Sequence, residues 1–388
     1  MLRKLTTDDF LKSVELSQYA FQYTLSEEEL KNAKKNFDNA DVWGIFAGER
    51  LLSKLNILHF NVWIAGRQWK MGGIAGVATW PEERRGGSVK SLLTKALEEM
   101  RSNGESISFL HPFKVSFYRK FGWEVMNTLK KYEIEHHQLT FLKETNGHVK
   151  RLQKETFIED IQEIYEQFGT ASNGMLKRSK DRWEKTVGKG YQAALYYNEQ
   201  GSPRGYMIYK VEKKEMCVDE WIVLDYEARK GLWNFICQHD SMIKKVIIYH
   251  QQQSDQLPFL SHYPEMKQEE NVFGMGRIVD VALFAADYPF AAKEQALHIH
   301  ICDETASWNQ GVLTIANGKT TFKEGASLGE GEGLSLSIQT LTALLIGYQT
   351  PAFLYEVGKI EGNEAHLELL QQLLPDSLQK GTYLIDFF

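Results

Sequence analysis

The chain has 388 residues, too many for one ordinary core, so two or three domains are expected. A net charge of −6 leaves no global basic field to gather nucleic acid, and no run of about 18 apolar residues is present to span a membrane. Hydrophobic residues make up 43% and charged residues 25%, the balance of a soluble globular protein. The cysteines, Cys217, Cys237 and Cys302, are far apart and show no CxxC spacing. The histidines reach neither HExxH nor a Cys/His ligand spacing, so no metal is expected. The N-terminal MLRKLTTDDF has no apolar signal-peptide core, and a cytoplasmic location is the expectation.

In chain order, 1–5 reads as a strand, followed by a capped helix over 10–21. Tyr19, Phe21 and Tyr23 fall in its turn-rich exit, where they serve either as core or as walls of an acceptor pocket. Ser26 and Glu29 form a capping box for a charged helix reaching 37. Strands over 41–46, 51–64 and 68–78 then make a meander.

The meander feeds the stretch IAGVATWPEERRGGSVKSLLTKALEEM, residues 74–100. A strand ends at Trp80, Arg84-Arg85-Gly86-Gly87-Ser88 follow, and Val89, Leu92, Leu93, Ala96, Leu97 and Met100 fall on one face of a helix over 88–100. A glycine-bearing turn at a helix start leaves several N–H groups unpaired. Together with the positive end of the helix dipole and two arginines they make an anion site. No Gly-Lys-Ser/Thr follows, as a nucleotidase loop requires, and the three spaced glycines of a dinucleotide fingerprint are absent. Arg84-x-x-Gly87-x-Val89 after a Val/Ala/Thr strand resembles the pyrophosphate loop of GCN5-related N-acetyltransferases (GNAT), where acyl-coenzyme A binds.

A buried strand over 107–110 carries His111 at its end, read as a satisfied core histidine. Next comes Phe117-Tyr118-Arg119-Lys120-Phe121-Gly122-Trp123, a short helix stopped by a left-handed cap at Gly122. This Phe-Tyr-x-x-x-Gly-aromatic pattern, about thirty residues past the loop and in the right order, resembles the last signature element of the same superfamily.

A strand over 130–135 and a polar turn at 143–147 lead to a second round of the same pattern. Helices over 157–168 and 179–185, strands over 191–197, 205–211 and 215–223, and a helix over 226–239 repeat the order of the first half. At the place of the loop stands Tyr226-Glu227-Ala228-Arg229-Lys230-Gly231-Leu232, with a basic pair and a glycine but neither the arginine pair nor the glycine pair. This half reads as a second acetyltransferase-like domain that has lost coenzyme binding. Residues 271–280 mark the next boundary. The remainder supplies strands over 297–303 and 334–338, an Asn317-Gly318 hairpin, a glycine-rich loop over 325–333, and helices over 339–347 and 367–373.

The order of these parts resembles the Eis (enhanced intracellular survival) acetyltransferases. The resemblance is carried by Gly276-Arg277-Ile278-Val279-Asp280-Val281, Trp308-Asn309-x-Gly311, Leu341-x-Ala343-x-x-x-Gly347 and the terminal Phe387-Phe388. It implies an α+β chain of two tandem GNAT folds, the second degenerate, plus a sterol-carrier-protein-like α/β domain. The divisions expected are a catalytic domain over 1–150, the degenerate one over 151–276, and the third over 277–388 with a buried C-terminus. The loop has Gly86 where a third arginine is common in the family, and Ser88-Val89 where leucines are common. The resemblance further implies acetyl-CoA as co-substrate, broad cationic acceptors such as aminoglycosides, and a homohexamer.

Acetyl transfer from a thioester to an amine needs a coenzyme grip, an oxyanion site, an acid and a base. Val77, Ala78 and Thr79 can pair with the pantetheine arm as an added strand would. Arg84, Arg85, Gly86, Gly87, Ser88 and Val89 can hold the pyrophosphate. Tyr118 sits in the family's position for the acid, and the resemblance places the C-terminal carboxylate, here that of Phe388, in the role of base. An apolar tail ending on two phenylalanines argues for burial, either as structural docking or as part of the site. Tyr19, Phe21, Tyr23, Trp80, Asp386 and Phe387 are the expected walls of the acceptor pocket, and Asp386 is expected to attract polyamines. Two other readings stay open: a protein lysine acetyltransferase, with the same chemistry, and a non-catalytic module that binds lipid or coenzyme A.

Overall fold

Alternating apolar residues make the N-terminal meander one antiparallel sheet: β1 (Leu2–Lys4), β2 (Asp41–Ala47), β3 (Arg50–Ile64) and β4 (Arg67–Thr79). The computed structural model describes residues 1–143, 145–152, 158–186 and 190–388. Glu144 of the expected 143–147 turn and Phe157, expected to open a helix, lie outside the described residues. The helices α1 (Phe10–Phe21) and α2 (Glu27–Asp38) follow β1, and α2 starts on the expected capping box of Ser26 and Glu29. Beyond β4, α3 (Ser88–Ser102) buries Leu92, Leu93, Ala96, Leu97 and Met100 on the sheet. It returns the chain to β5 (Ile107–Leu110), parallel to β4, and α4 (Val115–Arg119) leads into β6 (Glu124–Glu135).

The second half repeats this plan: β7 (His148–Leu152), α5 (Ile158–Ala171), α6 (Lys180–Thr186), β8 (Gln192–Tyr197), β9 (Pro203–Glu212), β10 (Glu215–Val223), α7 (Tyr226–Cys237), β11 (Lys245–Gln252), α8 (Leu257–Leu260) and β12 (Lys267–Ile278). The two halves share one twelve-stranded sheet, in the order β1-β2-β3-β4-β5-β12-β6-β11-β10-β9-β8-β7. Strand β12, the last of the second half, lies between β5 and β6 of the first, while β6 pairs on its other side with β11. Residues 271–280, read from sequence as a boundary, therefore sit mostly in the middle of the sheet. The stretch carries Gly274 and Gly276. A Cβ on Gly274 would lie 3.1 Å from Leu384 and one on Gly276 3.1 Å from Met126, so both are packing glycines.

The last part has a five-stranded sheet in the order β15-β14-β13-β16-β17, built from β13 (Leu297–Cys302), β14 (Gly311–Ala316), β15 (Lys319–Glu324), β16 (Leu334–Ser337) and β17 (Ile360–Glu361). Its helices are α9 (Val281–Asp287), α10 (Ile338–Leu345), α11 (Pro351–Glu356) and α12 (Glu364–Leu373). The β14–β15 hairpin turns on Asn317 and Gly318, both at positive φ, as the Asn-Gly pair predicted. The core of this part is continuous with the back of β3 to β5, where Trp69 stacks on Phe284 at 4.4 Å.

One buried ion pair joins the last strand of the second half to the third part, and its arginine also reaches the first half. Arg277 is fully buried, donates to Asp303 at 2.5 Å and to the Phe121 carbonyl, and lies against Gly122. Gly122 caps α4 at a φ of +88°, and a Cβ there would fall on the Arg277 guanidinium. The signature glycine thus meets two demands, a left-handed backbone and room for a buried cation.

Candidate active site

Strands β4 and β5 pair from Met71↔Ile107 to Ile74↔Leu110 and then part, because β5 stops while β4 runs on to Thr79. On its other side β4 bulges against β3. Asn56 pairs with Ala75 and Lys54 with Ala78, so Gly76, at a φ of +57°, and Val77 have no partner in the register. A Cβ on Gly76 would lie 2.9 Å from the Asn56 amide, so the kink needs glycine twice over. The β5-facing edge of β4 from Ala75 to Thr79 is therefore left open beside a wedge, the place where an extended amide chain can add as a strand.

The wedge leads to the arginine–glycine loop. Gly87, at a φ of +83°, is the N-cap of α3, and Arg85 before it also adopts a left-handed backbone. Ser91 donates to the Gly87 carbonyl, and the N–H groups of residues 85–90 have no acceptor among the described residues. A Cβ at Gly87 would meet nothing within 4 Å, so the space above the turn is open. Glu82 and Glu83 are taken by Arg50, while Arg84 and Arg85 form no ion pair among the described residues. Successive free N–H groups, a helix start and two guanidinium groups without a carboxylate partner, of which Arg84 donates from Nε to the Thr79 carbonyl at 3.4 Å, fit a pyrophosphate, the group that coenzyme A carries.

Tyr118 lies on α4 just past the end of β5, 4% exposed and packed between Phe113 and Phe117 at 5.5 and 5.2 Å. Its hydroxyl has no hydrogen bond among the described residues, and its oxygen is not fully shut off from solvent. Burial pushes its pKa up to about 12, which keeps the phenol protonated at neutral pH.

A cleft of about 1160 Å³ opens between α1, α2, β3, the second half and the C-terminal tail. Tyr23, Asp386, Phe387 and Phe388 line it; Tyr19, Phe21 and Trp80 do not. Tyr19 packs on Trp80 at 5.0 Å, the Trp80 indole donates to the Leu51 carbonyl, and Phe21 is exposed at the end of α1. Sequence reasoning missed the cleft's other walls, Lys54 and Asn56 on β3 and Lys177, Arg178, Asp219 and His250 from the second half. The alternation of β3 marks Lys54 as a cation on an otherwise apolar stretch, and that was the available signal.

The tail enters along the seam between the halves. Tyr383 bonds to the Asn173 and His250 carbonyls, and Asn127 holds both the N–H and the carbonyl of Leu384. Asp386, 5% exposed, accepts from Arg178 at 2.9 Å, Arg182 at 2.8 Å and Tyr165 at 2.9 Å. Burial alone would raise its pKa, but Arg178 and Arg182 outweigh it and hold the carboxyl below its ordinary range. Its charge is spent on these arginines, which corrects the expectation that it draws polyamines. It anchors the tail instead. Phe388 ends over Gly73 of β4, 2.8 Å from where a Cβ would stand, with its ring against Phe60 and His111. The ring nitrogens of His111 lie 2.8 and 3.1 Å from the Phe273 and Asp386 carbonyls, so this half-buried histidine clamps the tail rather than merely filling core.

Among the described residues no group of His, Cys, Asp and Glu could hold a metal, and no helix is long and apolar enough to cross a membrane.

Comparison with known proteins agrees with this geometry. An acetyltransferase (GNAT) domain model matches residues 1–126, a second acetyltransferase (GNAT) domain model matches 174–278, and a sterol carrier protein domain model matches 281–379. No curated protein matches the sequence. Among solved structures, a conserved Enterococcus faecalis V583 protein called a "Probable N-Acyltransferase" is 27% identical, with a TM-score of 0.91 over 100% of this chain and 99% of that one. A GCN5-related N-acetyltransferase from Anabaena variabilis ATCC 29413 is 24% identical (TM-score 0.85), and Eis1 from Mycobacterium abscessus 16% (TM-score 0.82); each is covered fully, as is this chain. The last two show a shared fold. Fold, loop and domain matches together define an N-acetyltransferase of the GNAT class. With two GNAT domains followed by a sterol carrier protein domain, and a fold shared with Eis1, the chain fits an Eis-like protein.

Proposed function

We propose that the protein transfers the acetyl group of acetyl-CoA directly to an amine of a small acceptor held in the cleft, within a ternary complex. One observation carries this reading: the open edge of β4 runs from the free N–H row at 85–90 to Ala75, which lines the cleft that Phe388 closes. The pyrophosphate would rest on Arg84, Arg85, Gly86, Gly87, Ser88 and Val89, and the pantetheine amides would pair with Val77, Ala78 and Thr79. The amine attacks the thioester carbonyl, and the N–H groups at the Gly76–Val77 bulge, which has no register partner on β3, receive the developing oxyanion. The C–S bond then breaks, Tyr118 protonates the departing thiolate, and the Phe388 carboxylate takes the proton that the amine loses. Water carries that proton back to Tyr118, so the cycle balances.

The cleft, somewhat above the ~300–1,000 Å³ typical of small-molecule pockets, supports a free acceptor over a protein lysine. Aminoglycosides, which the family resemblance implies, are the first acceptors to test. The resemblance also supports a cytoplasmic homohexamer and a division into a catalytic unit over 1–150, a second unit over 151–276 that builds the acceptor side, and a third over 277–388. The test is the initial rate of free thiol release from acetyl-CoA with and without an aminoglycoside or another small amine. Amine-dependent release is the expected result; coenzyme binding with no release for any small amine would shift the reading to a protein acceptor.

A further inference from the structure

The charges lining the cleft are unevenly spent. Arg178 and Arg182 are consumed by Asp386 and Glu220, and Asp181 pairs with Lys35 at 2.6 Å. Lys54 and Lys177 line the same space with no carboxylate partner among the described residues, against Asp219 near His250 and the tail carboxylate. Of the two lysines, Lys177 is exposed, whereas Lys54 is 3% exposed. The Lys54 ammonium donates to the Ser13 hydroxyl at 2.8 Å, and its other two donors are left over. A buried ammonium held by one neutral hydroxyl is costly unless an anion meets it.

Its position gives that anion a place. Lys54 lies two residues along β3 from Asn56, which faces Ala75 at the bulge, a spacing of about 7 Å. The Asn56 carbonyl oxygen is itself buried without a donor, so an acceptor N–H next to the thioester has a partner there. An amine at Asn56 and an anionic group at Lys54 are within the span of one small molecule. A polycation would instead place like charge against Lys54. Burial lowers the Lys54 pKa to about 8, so at pH 7 the ammonium form still dominates.

We propose that Lys54, with Ser13, is a carboxylate-reading subsite of the acceptor cleft, and that the preferred acceptor is a small amine bearing a carboxylate rather than a polyamine. The proposal rests on the small-amine reading above and ranks carboxylated amines ahead of the aminoglycosides named there. Its test uses binding, so that it stands apart from turnover. Titration calorimetry compares N-acetylphenylalanine with N-acetylphenethylamine, a pair differing in the carboxylate, on the CoA-loaded wild-type protein and on Lys54→Met and Lys54→Arg. The wild type is expected to bind the carboxylate compound at least about tenfold tighter, the difference one charge-assisted contact provides. Lys54→Met should erase that preference, and Lys54→Arg should restore much of it. Equal affinities in the wild type, binding of neither compound, or a preference that survives in Lys54→Met each overturn the proposal. Loss of CoA binding, measured separately, would count against the acetyltransfer reading instead.

Discussion

Arg178 grips Asp386 through its Nε at 2.9 Å while the two ends of the same guanidinium hold Glu220 at 3.0 and 2.7 Å. One buried arginine of the second half thereby fixes the tail that closes the cleft of the first. Removing the charge with Asp386→Asn leaves Arg178 and Arg182 undercompensated, which should cost about 3 kcal/mol. The sign with pH follows from the depressed pKa: the stabilisation is complete above the ordinary carboxylate range and is lost as the pH falls through the lower folded value. Chemical denaturation of wild type and Asp386→Asn at pH 7 and pH 4 checks this, with the gap expected to be no wider at pH 4.

Tyr118→Phe removes a hydroxyl that bonds to nothing else among the described residues, so folding should be untouched. If the phenol supplies the proton to the thiolate, kcat should fall roughly 100-fold with acetyl-CoA affinity unchanged. Steady-state rates beside a direct titration of acetyl-CoA give both numbers.

Lys54→Met also bears on stability. The folded lysine titrates near 8 against an ordinary 10.5, so its ammonium form costs the fold about 3 kcal/mol at pH 7, offset in part by the bond to Ser13. The variant should be more stable than wild type by about 2 kcal/mol below pH 8. Between pH 8 and 10.5 the unfolded chain holds a proton that the folded one has shed, wild-type stability rises, and the advantage fades. Thermal melts at pH 7 and pH 10 read the change.

Gly122→Ala places a side chain at a φ of +88° and onto the Arg277 guanidinium. Displacing a fully buried cation from Asp303 should cost about 4 kcal/mol or more. A marked loss of soluble, cooperatively melting protein is expected, measurable by yield and calorimetry.

The loop proposed to hold the coenzyme was legible as local structure because its signals are local. Arg84 to Val89 and Tyr118 to Trp123 carry their turn chemistry, capping and charge within a few residues each, and the structure forms those turns where the sequence placed them. The cleft proposed for the acceptor was not legible, because it is made by long-range pairing. Lys54 meets Ser13 across 41 residues and Asp386 meets Arg178 across 208, and β12 reaches its place by exchange between the halves. Residues 271–280 read from sequence as a boundary, which left that strand unassigned. Tyr19 and Trp80 were placed by aromatic character alone, and their packing on each other satisfies it without a ligand.

The central claim, acetyl transfer to a small amine with the tail completing the site, is tested most directly by deleting Phe387 and Phe388 and measuring amine-dependent thiol release beside acetyl-CoA affinity. Asp386 and the contacts before it would remain, so the tail should still dock. The account predicts coenzyme affinity within about twofold of wild type and turnover lowered about 100-fold or more. Full turnover in the shortened, folded chain would contradict it.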